Sequence, residues 1–441
     1  MGRAARGFTL SHYSPKVAAA VVIANMIGTG VFSSLGFQLI DIQSAPVIMM
    51  LWLVGGVSAL CGALSYAELG AALPRSGGEY HFLTEIYHPS AGFISGWVSA
   101  TVGFAAPTAL AGLTFGSYLN SSGLGADPLW LATIAIVALT AAHCTNHRHS
   151  GGTQTGFTLL KLLLIVLFSI AALSLSPAEQ QTRFVWDREA TTLLGSGAFA
   201  VSLIYVNYAY SGWNAATYIS GELAAPQRSL PRVLSISTAV VAALYCLLNF
   251  VFLSVAPMDA MAGKVEVGVI AAEFAFGPRL GTFMGLLLAM LLISTISAMI
   301  LAGPRVLHRI GQDYQRFAPL ARENRDGIPV TAILLQSGTA LVFLWTASFE
   351  QILVFSGATM ALNTFATVLG LFILRWRQPH LPRPFHVTLY PITPLIFLGI
   401  TGWTLTYVVL QRPVEALISV TIILTGGGVY WLMRPKRGSV L

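Results

Sequence analysis

Roughly twelve runs of about twenty apolar residues, parted by short polar stretches, decide what this chain can fold into. A run of about 20 residues is what a helix needs to cross about 30 Å of hydrocarbon. Inside hydrocarbon, a backbone must satisfy its own polar groups, which leaves helices or a closed barrel. The runs lie near 17–40, 46–72, 90–119, 128–145, 153–176, 192–222, 231–256, 280–304, 329–347, 350–375, 389–410 and 415–433. Their length is helical, so the sequence predicts an all-α polytopic membrane protein. Composition closes the alternative: only 9% of residues are charged and the mean hydropathy is +0.72, too little charge to give a soluble fold of 441 residues its water-facing surface.

The distribution of basic residues gives an orientation. With the N-terminus inside, the inner segments hold eighteen Lys and Arg, among them Lys16, Arg75, Arg228, Arg305, Arg375 and Arg437. The outer segments hold five: Arg183, Arg188, Lys264, Arg279 and Arg412. Such an excess belongs on the cytoplasmic side, so both termini are expected there and the number of spans is even. The net charge of +7 is thereby explained without a nucleic-acid partner. Residues 1–16 contain no cleavable signal pattern, and a bacterial-type inner membrane is the expected location. No long linker divides the chain, so 17–433 is read as one transmembrane domain between a cytoplasmic segment, 1–16, and a tail, 434–441. Cys61, Cys144 and Cys246 lie in or beside apolar runs and give neither a disulfide framework nor a zinc spacing.

Two spans carry residues that do not suit a continuous helix. The first reads Asn25-Met26-Ile27-Gly28-Thr29-Gly30, and the sixth reads Tyr208-Ala209-Tyr210-Ser211-Gly212-Trp213-Asn214, each near mid-membrane. A helix-interior glycine costs about 1 kcal/mol relative to alanine. Close packing of small residues accounts for either passage taken alone. Together they occupy corresponding places in two five-helix halves, the pattern of a transporter site built on repeats. An interrupted helix offers N–H groups at the start of one half and carbonyls at the end of the other. Those ends suit a carboxylate and an ammonium respectively, so the ligand they fit best is an α-amino acid.

Lys161 is the basic residue left over, about eight residues past the start of the fifth run, or roughly 12 Å into the membrane. A lysine at that depth costs on the order of 2.5–3.5 kcal/mol and normally has a partner. No Asp or Glu lies at comparable depth, which points to carbonyls of a broken helix instead. Snorkelling to the interface is the competing account. Glu68 and Glu222, near cytoplasmic helix ends, read as loop-anchoring ion pairs. His143, His147 and His149 read as part of the inner charge rather than as a metal site. No catalytic or metal-binding motif occurs, so neither enzyme activity nor a cofactor is expected.

Four passages carry a resemblance to the amino acid–polyamine–organocation superfamily, and within it to the L-type amino acid transporter family. They are Ile27 to Phe32; Tyr66-Ala67-Glu68-Leu69 through Pro74-Arg75-Ser76-Gly77-Gly78-Glu79-Tyr80; Lys161; and Tyr210 to Asn214 with Glu222 and Arg228 to Pro231. The resemblance implies a leucine-transporter-type fold of five-plus-five inverted repeats (17–176 and 192–375) with two extra helices (389–433). It implies that a substrate carboxylate meets the backbone at Thr29 and Gly30, with Gly28 beside them in the binding site, and the amine meets carbonyls of Met26, Tyr208 and Ser211. Tyr208 would be an aromatic outer gate, with Asn25, Gly212, Trp213 and Asn214 completing the pocket. Lys161 matches a lysine that replaces a sodium site and couples the first helix to the eighth, through Thr295 or Ser297. Ser211 stands where many relatives have glycine, and the Tyr208 hydroxyl is an addition. Sodium-independent transport of neutral amino acids, typically by exchange, is the implied activity. A cationic amino acid or polyamine antiporter and a non-transporting sensor are the alternatives. Animal members bind a glycoprotein through a cysteine after the third helix; the connection 119–128 has none, so no disulfide-linked heavy chain is expected.

Overall fold

The structure is a computed structural model describing residues 14–145, 150–175, 184–223 and 225–433, without the side chains of 150–155, 157 and 222. The first thirteen residues, the tail 434–441, and His147, Arg148 and His149 lie outside the described residues, as does the Glu222 side chain.

Helices account for the regular structure, and no strand occurs among the described residues. In chain order they are α1 (Pro15–Met26), α2 (Gly30–Asp41), α3 (Ala45–Ala72), α4 (Gly78–Ile86), α5 (Pro89–Val98), α6 (Ala105–Leu119), α7 (Pro128–Thr145), α8 (Ser150–Leu175) and α9 (Arg188–Leu193). There follow α10 (Gly197–Tyr210), α11 (Pro226–Val255), α12 (Met258–Met261), α13 (Val267–Phe276), α14 (Pro278–Ala302), α15 (Pro304–Asp313), α16 (Val330–Thr346), α17 (Phe349–Arg377), α18 (Ile392–Gln411) and α19 (Pro413–Met433).

Among the described residues, ten helical stretches are long and apolar enough to cross a membrane, counting α1–α2, α5–α6 and α14–α15 as one stretch each. Two of the expected spans fall outside that set for visible reasons. The ninth is α16, only 17 residues long, and the sixth is interrupted. Helix starts follow local chemistry: proline fills the first turn of α1, α3, α5, α11 and α14, where its missing N–H costs no hydrogen bond. Ser348 and Gln351 form a reciprocal capping box at α17. The seventh span begins at Pro226 rather than Pro231, since Pro226 occupies the first turn and Pro231 is absorbed inside the helix.

Core and periphery are sorted for a hydrocarbon surround. α3 lies along α11, and α6 along α14 and α7, while α10 is enclosed by α2, α3, α17 and α18. Leu159, Ile236, Met290 and Leu424 project outward, where lipid rather than water covers them at no hydrophobic cost. Five helices were not legible as elements. α4, α9, α12 and α13 are too short to span, and α15 is a surface amphipath that follows α14 almost without a break.

Candidate functional site

At the first break, α1 ends at Met26 and Ile27 turns away from helical geometry, with ψ of 85°. The Gly28 N–H closes a tight turn onto the Met26 carbonyl at 2.9 Å. α2 then starts at Gly30, with Thr29 before it and no side-chain cap. The first N–H groups of a helix have no partner within it, so this end of α2 presents donors and a positive dipole end to the break. The Thr29 carbonyl accepts from the Phe32 N–H (3.0 Å) and the Ser33 hydroxyl (2.8 Å).

At the second break, α10 ends at Tyr210 and Gly212 adopts φ of +97°, a left-handed conformation that favours glycine. The chain resumes as a 3₁₀ helix over Ala215–Glu222, in the second part of the run read as the interrupted sixth span. Ser211 turns both its N–H (3.0 Å) and its hydroxyl (2.6 Å) onto the Tyr208 carbonyl.

The breaks touch one another reciprocally. A Cβ on Gly30 would sit 2.5 Å from Cα of Ala209, and one on Gly212 would sit 2.9 Å from the backbone carbon of Asn25. Each break thus contributes a glycine that lets the other's backbone approach. The sequence shows those glycines but not that they face each other.

Lys161 is buried in α8, with its ammonium donating to the Thr295 hydroxyl at 2.7 Å and to the Ile27 carbonyl at 3.3 Å. It joins the first break to α14 and does not reach an interface. Ser297, the other residue implied as its contact, pairs instead with His143 at 2.8 Å. Residues two apart on a helix point to different faces, so Thr295 and Ser297 cannot serve the same partner.

Tyr245 of α11 was missed by sequence reasoning. Its hydroxyl reaches the carbonyl of Met26 and, at 3.1 Å, that of Ala209, so one side chain contacts both breaks. A buried tyrosine in an apolar helix wants a hydroxyl partner, and that was the available signal. In consequence, the Met26 and Tyr208 carbonyls, both implied to receive an amine, each already accept two bonds within the protein.

The remaining pocket residues divide. Asn25 folds back onto the Val21 carbonyl at 2.8 Å. Asn214 donates to Glu79, and Trp213 packs edge-on against Tyr66 with centroids 4.7 Å apart. A cavity opens beside the second break, where Tyr208, Ser211, Gly212, Trp213 and Asn214 meet Ser58 of α3, Asn207 of α10, Thr364 of α17 and Thr401 of α18. Those four polar groups were not expected. Asn25, Met26, Gly28, Thr29 and Gly30 lie across the glycine contacts and do not line it.

Of the signature passage 66–80, Glu68 is buried and paired with Arg375 (2.6 Å) and Arg383 (3.6 Å), and it accepts from the Val387 N–H at 2.7 Å. It is the loop anchor expected. No grouping of three His, Cys, Asp or Glu side chains able to hold a metal occurs among the described residues.

Comparison with known proteins gives the family. The family model described as "Amino acid permease" matches residues 14–432. The mouse "Large neutral amino acids transporter small subunit 2" is 29% identical over 451 aligned residues, covering 95% of this chain and 81% of that protein. The mouse "Asc-type amino acid transporter 1" is 28% identical, again over 95% of this chain and 81% of the relative. The "Serine/threonine exchanger SteT" of Bacillus subtilis is 27% identical over 428 residues, 96% of both chains.

Proposed function

We propose that this chain, which belongs to the amino acid permease family, carries neutral L-amino acids across the membrane by sodium-independent exchange. It is an integral membrane protein of a transporter family, not an enzyme. The observation that carries the finer reading is the Lys161 ammonium between the Ile27 carbonyl and the Thr295 hydroxyl. A fixed cation there does the structural work of a bound metal ion, tying the interrupted first span to α14. With the ammonium in that place, no sodium ion is required to stabilise the break.

Several further features support the reading. The paired breaks offer α2 N–H groups for a carboxylate and nearby carbonyls for an amine, with Met26 and Tyr208 released by Tyr245 and Ser211 as the ligand arrives. No carboxylate lines the second-break cavity to attract a cationic side chain, and that cavity supplies hydroxyls and amides suited to a small neutral one. The names of the relatives point to neutral substrates, and one of them to exchange. Alternating access would proceed about the two breaks, with 17–176 and 192–375 as repeats and both termini cytoplasmic. The connection 119–128 has no cysteine, so the chain is proposed to act without a disulfide-linked partner.

The test is uptake of labelled amino acids into liposomes holding purified protein, with and without internal amino acid, sodium and a pH gradient. Neutral amino acids should enter only when a neutral amino acid is inside, equally in sodium and in choline. Strict sodium dependence removes the role given to Lys161, and uptake confined to cationic amino acids removes the substrate class.

A further inference from the structure

The signature between α3 and α5 contains two buried carboxylates treated in opposite ways. Glu68 is neutralised by two arginines. Glu79, in the first turn of α4, is also fully buried, yet its three hydrogen-bond donors are all uncharged. They are the Tyr66 hydroxyl at 3.1 Å, the Tyr218 hydroxyl at 2.6 Å and the Asn214 side-chain amide.

The charged groups around it are engaged elsewhere. Tyr80 donates to Asp313 and His81 faces Glu85 on α4; His88 bonds Ser90 on α5. Arg375 holds Glu68, Arg377 holds the Ile86 carbonyl, and Arg309 holds Asp313. Arg75 is exposed. A tyrosine also meets a carboxylate at the other end of the sixth span, where Tyr205 donates to Glu350 at 2.7 Å. There Arg412 completes the pair at 2.6 Å. Glu79 has no such cation among the described residues.

Two of its three donors, Asn214 and Tyr218, lie directly after the second break. Beside them the Gly221 N–H donates to the Ser76 hydroxyl at 2.9 Å. We propose that Glu79 is a proton-binding latch of the cytoplasmic gate: it ties the segment after the second break to α4 and takes up a proton from cytoplasmic water as that gate closes. As a gate, the latch rests on the alternating-access reading above; as a proton site it does not.

Burial raises the carboxyl's affinity for a proton above the ordinary range, and the bond from Tyr218 is the largest opposing influence. When 214–218 swings away, water reaches Glu79 and its affinity returns toward the ordinary glutamate value of about 4.3. The closed state therefore binds more protons. Its advantage is full below that ordinary value and disappears as pH rises through the raised closed-state value. Acidification of the cytoplasmic side should hold the gate shut.

Infrared difference spectroscopy on proteoliposomes in the absence of substrate reads the site directly. A protonated-carboxyl band should appear on acidification with a midpoint above the ordinary glutamate value, and should be absent from Glu79→Gln. In Tyr218→Phe, which keeps the carboxyl and loses the donor that most opposes protonation, the midpoint should move up. Exchange by wild-type protein should slow as the internal pH falls, whereas Glu79→Gln should be flat. A band unaffected by Glu79→Gln, or an unmoved midpoint in Tyr218→Phe, overturns the proposal. Absent neutral amino acid exchange with an intact titration sinks the transport reading instead.

Discussion

Between Met26 and Gly30, the loosened backbone is held from outside: the Ile27 carbonyl by Lys161 of α8, and the Met26 carbonyl by Tyr245 of α11. Between Tyr210 and Ala215 it is held largely from within. There Ser211 returns two donors to Tyr208, and Thr217 returns its N–H (2.9 Å) and hydroxyl (2.7 Å) to the Asn214 carbonyl. The difference assigns the breaks different sensitivities. The geometry of the first depends on helices distant in sequence, so its neighbours can set it. The second is held mainly by its own residues, with Tyr245 and Glu79 as outside contacts, and has a cavity beside it, so its side chains can vary with the ligand.

Four substitutions test that contrast. Gly30→Val strikes the shared contact, forcing a side chain into the Ala209 backbone. It should abolish exchange and cost about 1–3 kcal/mol or more in thermal unfolding of the detergent-solubilised protein. Near-normal activity would mean the breaks do not depend on touching. Lys161→Ala removes one of the two outside supports of the first break and leaves the second break untouched. Leaving the Ile27 carbonyl and the Thr295 hydroxyl unpaired costs about 1–3 kcal/mol, so turnover should fall roughly tenfold or more while membrane insertion persists. Unchanged turnover would make the lysine a passive passenger. Tyr245→Phe loosens both breaks by one hydroxyl, about 1 kcal/mol, and exchange should drop roughly fivefold. A loss larger than that of Lys161→Ala would shift the main support from α8 to α11. Ser211→Gly removes one of two internal bonds to Tyr208. Turnover should change by no more than about twofold, a surface-scale effect, while the ranking of substrates by size should broaden. A collapse of turnover there would show that the second break is no more self-sufficient than the first.

Much of this was legible in the sequence, because length and hydropathy define a span and a glycine mid-membrane advertises a break. Lys161 stood out for the same reason, as a charge where charges are scarce. What stayed hidden were matters of facing. Nothing local distinguishes Thr295 from Ser297 as a lysine partner, since only the rotation of α14 against α8 decides it. Asn214 reads as a pocket amide until α4 is folded beneath it, when Glu79 becomes the nearer acceptor. Tyr245 lies 219 positions from Met26, and its hydroxyl has meaning only after α11 has packed against α1. The 3₁₀ path over Ala215–Glu222 escaped because its composition is equally compatible with an α-helix.

The pairing of Glu68 with Arg375 sets a schedule for biosynthesis. The two residues are 307 positions apart, and ribosomes add about 5–20 residues per second, so the carboxylate waits roughly 15–60 s for its guanidinium to be made. During that interval α3 has already emerged, carrying an acid that its own neighbourhood cannot neutralise. The early helices must therefore be held near water, or shielded by the insertion machinery, until α17 arrives. The last-made third of the chain acts as the lock that lets the first third settle.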